Sequence, residues 1–257
     1  MENESALIRP GERVDFLLKG GMRIIQHPGR FRFGMDAVLL ADFAPASKEK
    51  RVLDLGTGTG IIPLLLLGWG KASRVDGLEI QEDLADMARR SAVLNKFESG
   101  INILTGDLRR AEEYLPKNTY EAVVCNPPYL PVRAGALNKN ASVAASKLEI
   151  YCTVEDVVSV SSRMLRSRGR LCLVYKPERF ARLAELLYTC GLIPRRLRWV
   201  HSRAGEKAEL VLIEAEKGGK DGLTVLPPLI VYDEKGEYTA EMQGIYNQRQ
   251  YCSTFSP

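Results

Sequence analysis

Histidine is scarce in this chain, with two residues in 257, and that is too few for a zinc site built on imidazoles. The five cysteines, Cys125, Cys152, Cys172, Cys190 and Cys252, are odd in number, far apart and contain no Cys-x-x-Cys pair. A disulfide framework, a redox motif and a thiolate metal site are therefore not expected. Cys125, Cys172 and Cys190 lie inside apolar segments, where a thiol behaves as a small core residue. Long apolar runs are missing as well. The longest, Ile61 to Trp69, is about half of the roughly 18 residues a membrane span needs. Glu2, Glu4 and Arg9 fall among the first ten residues and leave no apolar signal-peptide core, so cytoplasmic residence is the expectation.

What is present is an ordinary globular balance, 45% hydrophobic and 26% charged, in a chain long enough for one large α/β domain with extensions. Net charge is only +4, but it is unevenly placed. Between Arg163 and Lys207 twelve Lys and Arg stand against three Glu, a surplus of nine. A basic face on a near-neutral body suits an enzyme that handles a polyanion such as RNA. Arg195, Arg196 and Arg198 cluster at a strand start, with Arg203 and Lys207 in the following turn, and these five are the candidate phosphate contacts. The alternative is that the same arginines decorate solvated helix faces and strand ends.

From Arg51 onward the chain alternates short β-type runs with helical patterns. Strands are expected at 51–55, 74–79, 101–104, 120–125 and 170–175, with helices at 60–69, 81–94, 154–165 and 178–190. Two further strands, 195–201 and 208–214, follow with no helix between them and read as an antiparallel pair closing the sheet. Alternating βα units imply a parallel sheet with helices on both faces. The domain is placed at 46–216. An N-terminal extension, 1–45, ends in a helix-like segment from Asp36 to Phe43, and a C-terminal extension covers 217–257. In the latter, Pro227 and Pro228 exclude a central strand, and the last residues look ragged.

The first strand runs into Asp54-Leu-Gly-Thr-Gly-Thr-Gly60. Glycines at a strand-to-helix turn adopt positive φ and let a ligand approach without a Cβ in the way. The spacing is G-x-G-x-G and not the dinucleotide fingerprint, and no Gly-Lys-Ser/Thr follows to make a P-loop. Asp54 is placed to hold a cationic amino-acid group. Glu79, at the end of the second strand and followed by Ile80, can accept from both hydroxyls of a ribose. Asp107 and Leu108, after the third, are placed for an adenine. This set, with Gly56, Gly58 and Gly60, resembles the class I S-adenosylmethionine methyltransferase fold over roughly residues 30–216. That resemblance implies a Rossmann-like, mostly parallel seven-stranded sheet with an antiparallel last strand, and S-adenosylmethionine as cofactor. Gly34 and Asp36 would, by the same resemblance, cover its methionine end.

The fourth strand ends in Asn126-Pro-Pro-Tyr129. Two prolines make a rigid turn with no amide hydrogens of its own. The Asn126 side-chain oxygen and the Pro127 carbonyl can both accept from one NH2 group, Pro128 stiffens the turn, and Tyr129 can stack on the planar group that carries the nitrogen. Those four residues are the candidate catalytic set, and Asn126 is a candidate cofactor contact as well. No Ser/His/Asp or Cys/His constellation accompanies them. Families bearing this motif methylate adenine N6 in DNA or RNA, guanine N2 in ribosomal RNA, or a glutamine side chain in release factors. The segment Phe31-Arg-Phe-Gly-Met-Asp-Ala-Val-Leu-Leu-Ala41 is similar to the bacterial tRNA1(Val) adenine-N6 methyltransferases, and so are the glycine turn, the run His201 to Ala215 and Leu226-Pro-Pro-Leu-Ile-Val-Tyr232. The resemblance implies methylation of a tRNA adenine next to the anticodon. One departure stands out: where an Ala-Arg-His-Glu-like run would be expected, this chain has Ser146-Lys-Leu-Glu149. A protein glutamine-N5 methyltransferase or an rRNA guanine-N2 methyltransferase is the alternative enzyme, and an RNA-binding scaffold on the same fold the alternative without catalysis. His27 and His201 read as surface or loop residues and Trp199 as a core residue.

Overall fold

A computed structural model describes residues 4–18, 21–29, 34–45, 51–127 and 152–247. The chain opens with a hairpin of β1 (Arg13–Leu17) and β2 (Met22–Gln26), followed by helix α1 (Met35–Phe43). Then come the alternating units: β3 (Arg51–Leu55), α2 (Ile61–Gly68), β4 (Arg74–Glu79), α3 (Glu82–Leu94), β5 (Ile101–Thr105) and β6 (Tyr120–Cys125). After α4 (Val154–Met164) the chain continues through β7 (Leu165–Tyr175), α5 (Phe180–Thr189), β8 (Leu192–His201) and β9 (Ala208–Lys217). Two-residue strands β10 (Thr224–Val225) and β11 (Leu229–Ile230) precede α6 (Ala240–Tyr246).

The sheet order is β10-β8-β9-β7-β6-β3-β4-β5, with β11 also paired to β8. Only β9 runs against its neighbours, so the expected α/β class holds, with mostly parallel strands. The strand count is corrected from seven to nine because β10 and β11 add to the outer edge. Leu226, Pro227 and Pro228 separate these two short strands, and prolines with no N–H are accommodated at an edge where no further partner asks for one. The closing pair has a definite order: β9, last of the seven long strands, inserts between β7 and β8.

Apolar side chains divide between the two faces. Val52, Val75, Ala122, Val124 and Val174 pack with α1 and α2 on one face. Leu53, Leu55, Leu78, Val123 and Leu171 pack with α4 and α5 on the other. Both faces of the central strands are buried, as a parallel sheet requires. Thr153 caps α4 in a reciprocal box with Asp156. The hairpin was not expected from the sequence. It lies along α3, where Ser91 Oγ accepts from the Ile25 amide at 2.9 Å and Asn95 Oδ1 from the Arg23 amide at 2.8 Å. Glu12 and Arg90 add a nearly buried ion pair.

Candidate functional site

The three turn glycines are not equivalent. Gly56, Gly58 and Gly60 all have positive φ, 72°, 57° and 85°. A Cβ on Gly56 or Gly58 would meet nothing within 4 Å, so these two border open space. On Gly60 it would lie 3.0 Å from the Ala88 Cβ, so the third glycine is there to let α3 approach α2. The turn is anchored underneath, where the amides of Gly56 and Thr57 both donate to the Leu78 carbonyl.

Around that open space stand the carboxylates at the ends of three adjacent strands. Asp54 is fully buried; its Oδ2 accepts from Thr57 Oγ1 at 2.6 Å, and its Oδ1 has no partner. Burial pushes its pKa up to about 7, with the Thr57 hydrogen bond opposing and the Glu79 charge assisting. Glu79 is also buried and accepts from the amides of Gly58 at 2.9 Å and Gln81 at 3.0 Å. Burial raises its pKa too, against those hydrogen bonds. Its Oε1 accepts from the Gln81 side-chain amide as well, at 3.5 Å.

Asp107 caps the short 3-10 stretch Leu108–Glu113, which kinks at Arg110, and accepts from the Arg109 amide at 2.9 Å. The Arg109 guanidinium grips the same carboxylate and holds its pKa below the usual range. Leu108 is buried behind it. Asp36 stands at the start of α1, where Oδ1 accepts from the amide of Ala37; Gly34 is the residue before that helix.

Asn126 follows β6 directly. Asp54 of β3 is in register with Val124 of β6, so Asn126 lies two residues beyond the level of Asp54 on the neighbouring strand. Asn126 is half-buried and Pro127 buried. Pro128, Tyr129, the segment Ser146 to Glu149 and Phe31 to Phe33 lie outside the described residues. Two site residues carried no sequence signal. Thr57 is an unremarkable x in the glycine motif, yet it holds Asp54. Cys152 is half-buried, and its pKa is raised to about 11 by burial and by the charges of Asp156, Glu79 and Asp107, with Arg109 opposing.

The five candidate phosphate contacts separate into two groups. Arg195 donates to the carbonyls of Lys220 and Asp221. Arg196 donates to the Phe43 carbonyl and Glu214 and lies 4.2 Å from the centre of the Phe43 ring. Arg198 binds the Pro227 carbonyl and Glu241. These three tie the two extensions to the edge of the sheet. Arg203 and Lys207 are exposed in the turn between β8 and β9, at the same end of the sheet as the glycine turn. Trp199 is half-buried against Phe180. Replacing Arg196 with alanine removes a carbonyl contact, an ion pair and a ring contact together. It is expected to cost about 1–3 kcal/mol of stability, read as a fall in the urea midpoint at constant slope.

A mostly parallel α/β sheet with a glycine turn, facing carboxylates and an Asn-Pro turn on adjacent strand ends defines the class of S-adenosylmethionine-dependent methyltransferases. The chain belongs to the methyltransferase small domain family, whose model matches residues 21–193. It is 29% identical over 218 residues to a tRNA1(Val) (adenine(37)-N6)-methyltransferase of Porphyromonas gingivalis, covering 82% of this chain and 85% of that one. It is 32% identical over 144 residues, 56% of each chain, to the protein of that name in Proteus mirabilis. Among solved structures it is similar to a predicted O-methyltransferase from Agrobacterium tumefaciens, with TM-score 0.68, 27% identity, and 84% and 97% of the two chains covered. A geranyl diphosphate C-methyltransferase of Streptomyces coelicolor, solved with S-adenosyl-L-homocysteine, shares the fold at TM-score 0.51 and 14% identity, over 71% of this chain and 77% of that one. Among the described residues no helix is long and apolar enough to cross a membrane, and no group of three His, Cys, Asp or Glu is placed to hold a metal ion.

Proposed function

We propose that the protein transfers a methyl group from S-adenosylmethionine to the exocyclic N6 of an adenine in RNA, and that the RNA is a tRNA modified next to the anticodon. The observation that carries this reading is the placement of Asn126 and Pro127 at the end of β6, one strand from the unpartnered carboxylate oxygen of Asp54. The names carried by the relatives add the substrate class. No metal enters this reading, and the enzyme is taken to act in the cytoplasm, where its substrate is made.

The residues present fit the cofactor. Asp54 offers a free acceptor for a cationic amino group, Gly56 and Gly58 leave room for a ligand backbone, and Glu79 has capacity for ribose hydroxyls. Asp107, Leu108 and Ile80 would border the adenine, and Gly34 and Asp36 the methionine end. When bound, the cofactor supplies an electrophilic methyl group on a sulfonium. The chain's own part is positioning: Asn126 and the Pro127 carbonyl accept from the target NH2 and hold its lone pair in line, with Pro128 and Tyr129 completing the turn. The nitrogen becomes acidic once alkylated, so its proton can leave to solvent without a strong base.

The test is methyl transfer from labelled S-adenosylmethionine to tRNA lacking modifications, followed by nucleoside analysis. Label in N6-methyladenosine is the expected result. Label in a release factor or in ribosomal RNA would overturn the substrate and keep the chemistry. For RNA contact, Arg203 and Lys207 are the exposed pair at the same end of the sheet as the site. The double variant Arg203→Glu, Lys207→Glu is expected to weaken tRNA binding and to flatten the slope of log K against log salt by about 1.5, from two lost phosphate contacts. An unchanged slope would remove this turn from the interface.

A further inference from the structure

Gln26, the last residue of β2, is 1% exposed, and neither its Nε2 nor its Oε1 has a hydrogen-bond partner. A buried amide with both ends unsatisfied is costly and calls for an explanation. Its position supplies one. Met22, Ile24 and Gln26 share one face of β2. Met22 and Ile24 belong to the core between α1 and α2, and the Met22 sulfur occupies the space beside Gly68 at the end of α2.

Four residues of strand from Met22 to Gln26 advance about 13 Å. Eight residues of helix from Gly68 back to Gly60 cover about 12 Å. Gln26 is therefore level with the glycine turn. The contacts with α3 agree: Arg23 meets Asn95, Ile25 meets Ser91, and one turn further on lies Ala88, against which Gly60 packs. Asp54 shares with Val52 the side of β3 that faces this same layer, and among the described residues it too carries an unpartnered acceptor.

We propose that Gln26 is a binding residue for the α-amino acid end of S-adenosylmethionine, acting with Asp54. A carboxamide presents a donor and an acceptor side by side, which matches a group bearing a carboxylate and an ammonium on one carbon. The adenine end is served by β4 and β5 on the far side of the glycine turn, which leaves the amino acid end for the β3 side. This assignment rests on the cofactor reading above.

The test compares two probes on purified protein, without turnover. S-adenosylhomocysteine carries the amino acid end; methylthioadenosine lacks it. Gln26→Met keeps the side-chain shape without polar atoms. By calorimetric titration it is expected to weaken S-adenosylhomocysteine about tenfold or more and to leave methylthioadenosine within about twofold. Equal weakening of both probes would make Gln26 a structural residue only, and no weakening of either would remove it from the site; each overturns the proposal. If Gln26→Met does not fold, Gln26→Leu is read in the same way. Wild-type protein that binds neither probe would overturn the cofactor reading itself, and this assignment with it.

Discussion

Asn126→Ala is expected to lower the rate of methyl transfer by about a thousandfold, equivalent to about 4 kcal/mol in the barrier. Its affinity for S-adenosylhomocysteine should stay within about threefold of wild type. The separation follows from where the residue sits. Asn126 lies past the end of β6, beyond the level at which Asp54 faces its layer, whereas the residues proposed for the ribose and adenine of the cofactor stand at the ends of β4 and β5. Pro127 has no N–H, so its carbonyl is its only backbone polar group. Two acceptors from consecutive residues fix the rotation of a planar NH2, and alanine leaves the nitrogen held at one point. Positioning of this kind is realised in the transition state, so the loss should appear in single-turnover rates at saturating tRNA and not in KM alone. Asn126→Asp keeps an oxygen acceptor and should fall between the two. Wild-type single-turnover rates in the alanine variant would remove Asn126 from the chemistry.

The elements nearest the site were legible because local chemistry marks both ends of each. Strands 51–55, 74–79 and 120–125 begin at a polar boundary, run apolar, and stop at a glycine, a carboxylate or an Asn-Pro turn; the structure places them with the same limits. The hairpin was not legible because β2 does not alternate. Ile24, Ile25 and Gln26 are all buried, one side against the main core and the other against α3, and that second contact depends on residues some 65 positions away. For a similar reason the basic window was legible as a surplus of charge but not in its placement. A count of arginines carries no direction, and Arg196 finds its partners at Phe43, 153 residues earlier, and at Glu214 across the β-ladder. Gln26 gave no signal at all, since an amide in an apolar run is marked only by the absence of partners, which is a property of the folded state.

The affinity for S-adenosylhomocysteine is expected to rise with pH by about tenfold per unit up to about pH 7 and to level off above it. The cause is Asp54, whose pKa burial raises from the ordinary carboxylate value to about 7. In the unliganded protein below that pH it is mostly protonated, and a neutral carboxyl is a poor partner for an ammonium. A ligand that brings an ammonium group to this carboxyl must therefore drive its ionisation, releasing close to one proton at pH 6 and almost none at pH 8.5. Calorimetry in buffers of different protonation enthalpy reads that proton directly. The stability of the unliganded protein should run the other way. A carboxyl whose folded pKa is raised stabilises the fold below its unfolded pKa, and that contribution is lost as pH climbs towards 7. Glu79 faces the same space, and its pKa is also raised by burial, so its titration overlaps. Asp54→Asn separates the two. It should abolish the proton release, weaken S-adenosylhomocysteine most strongly above pH 7, and leave an unliganded protein as stable as wild type at low pH and more stable at high pH. Proton release that survived in Asp54→Asn would assign the titration to Glu79 and leave the ammonium to be held by another group.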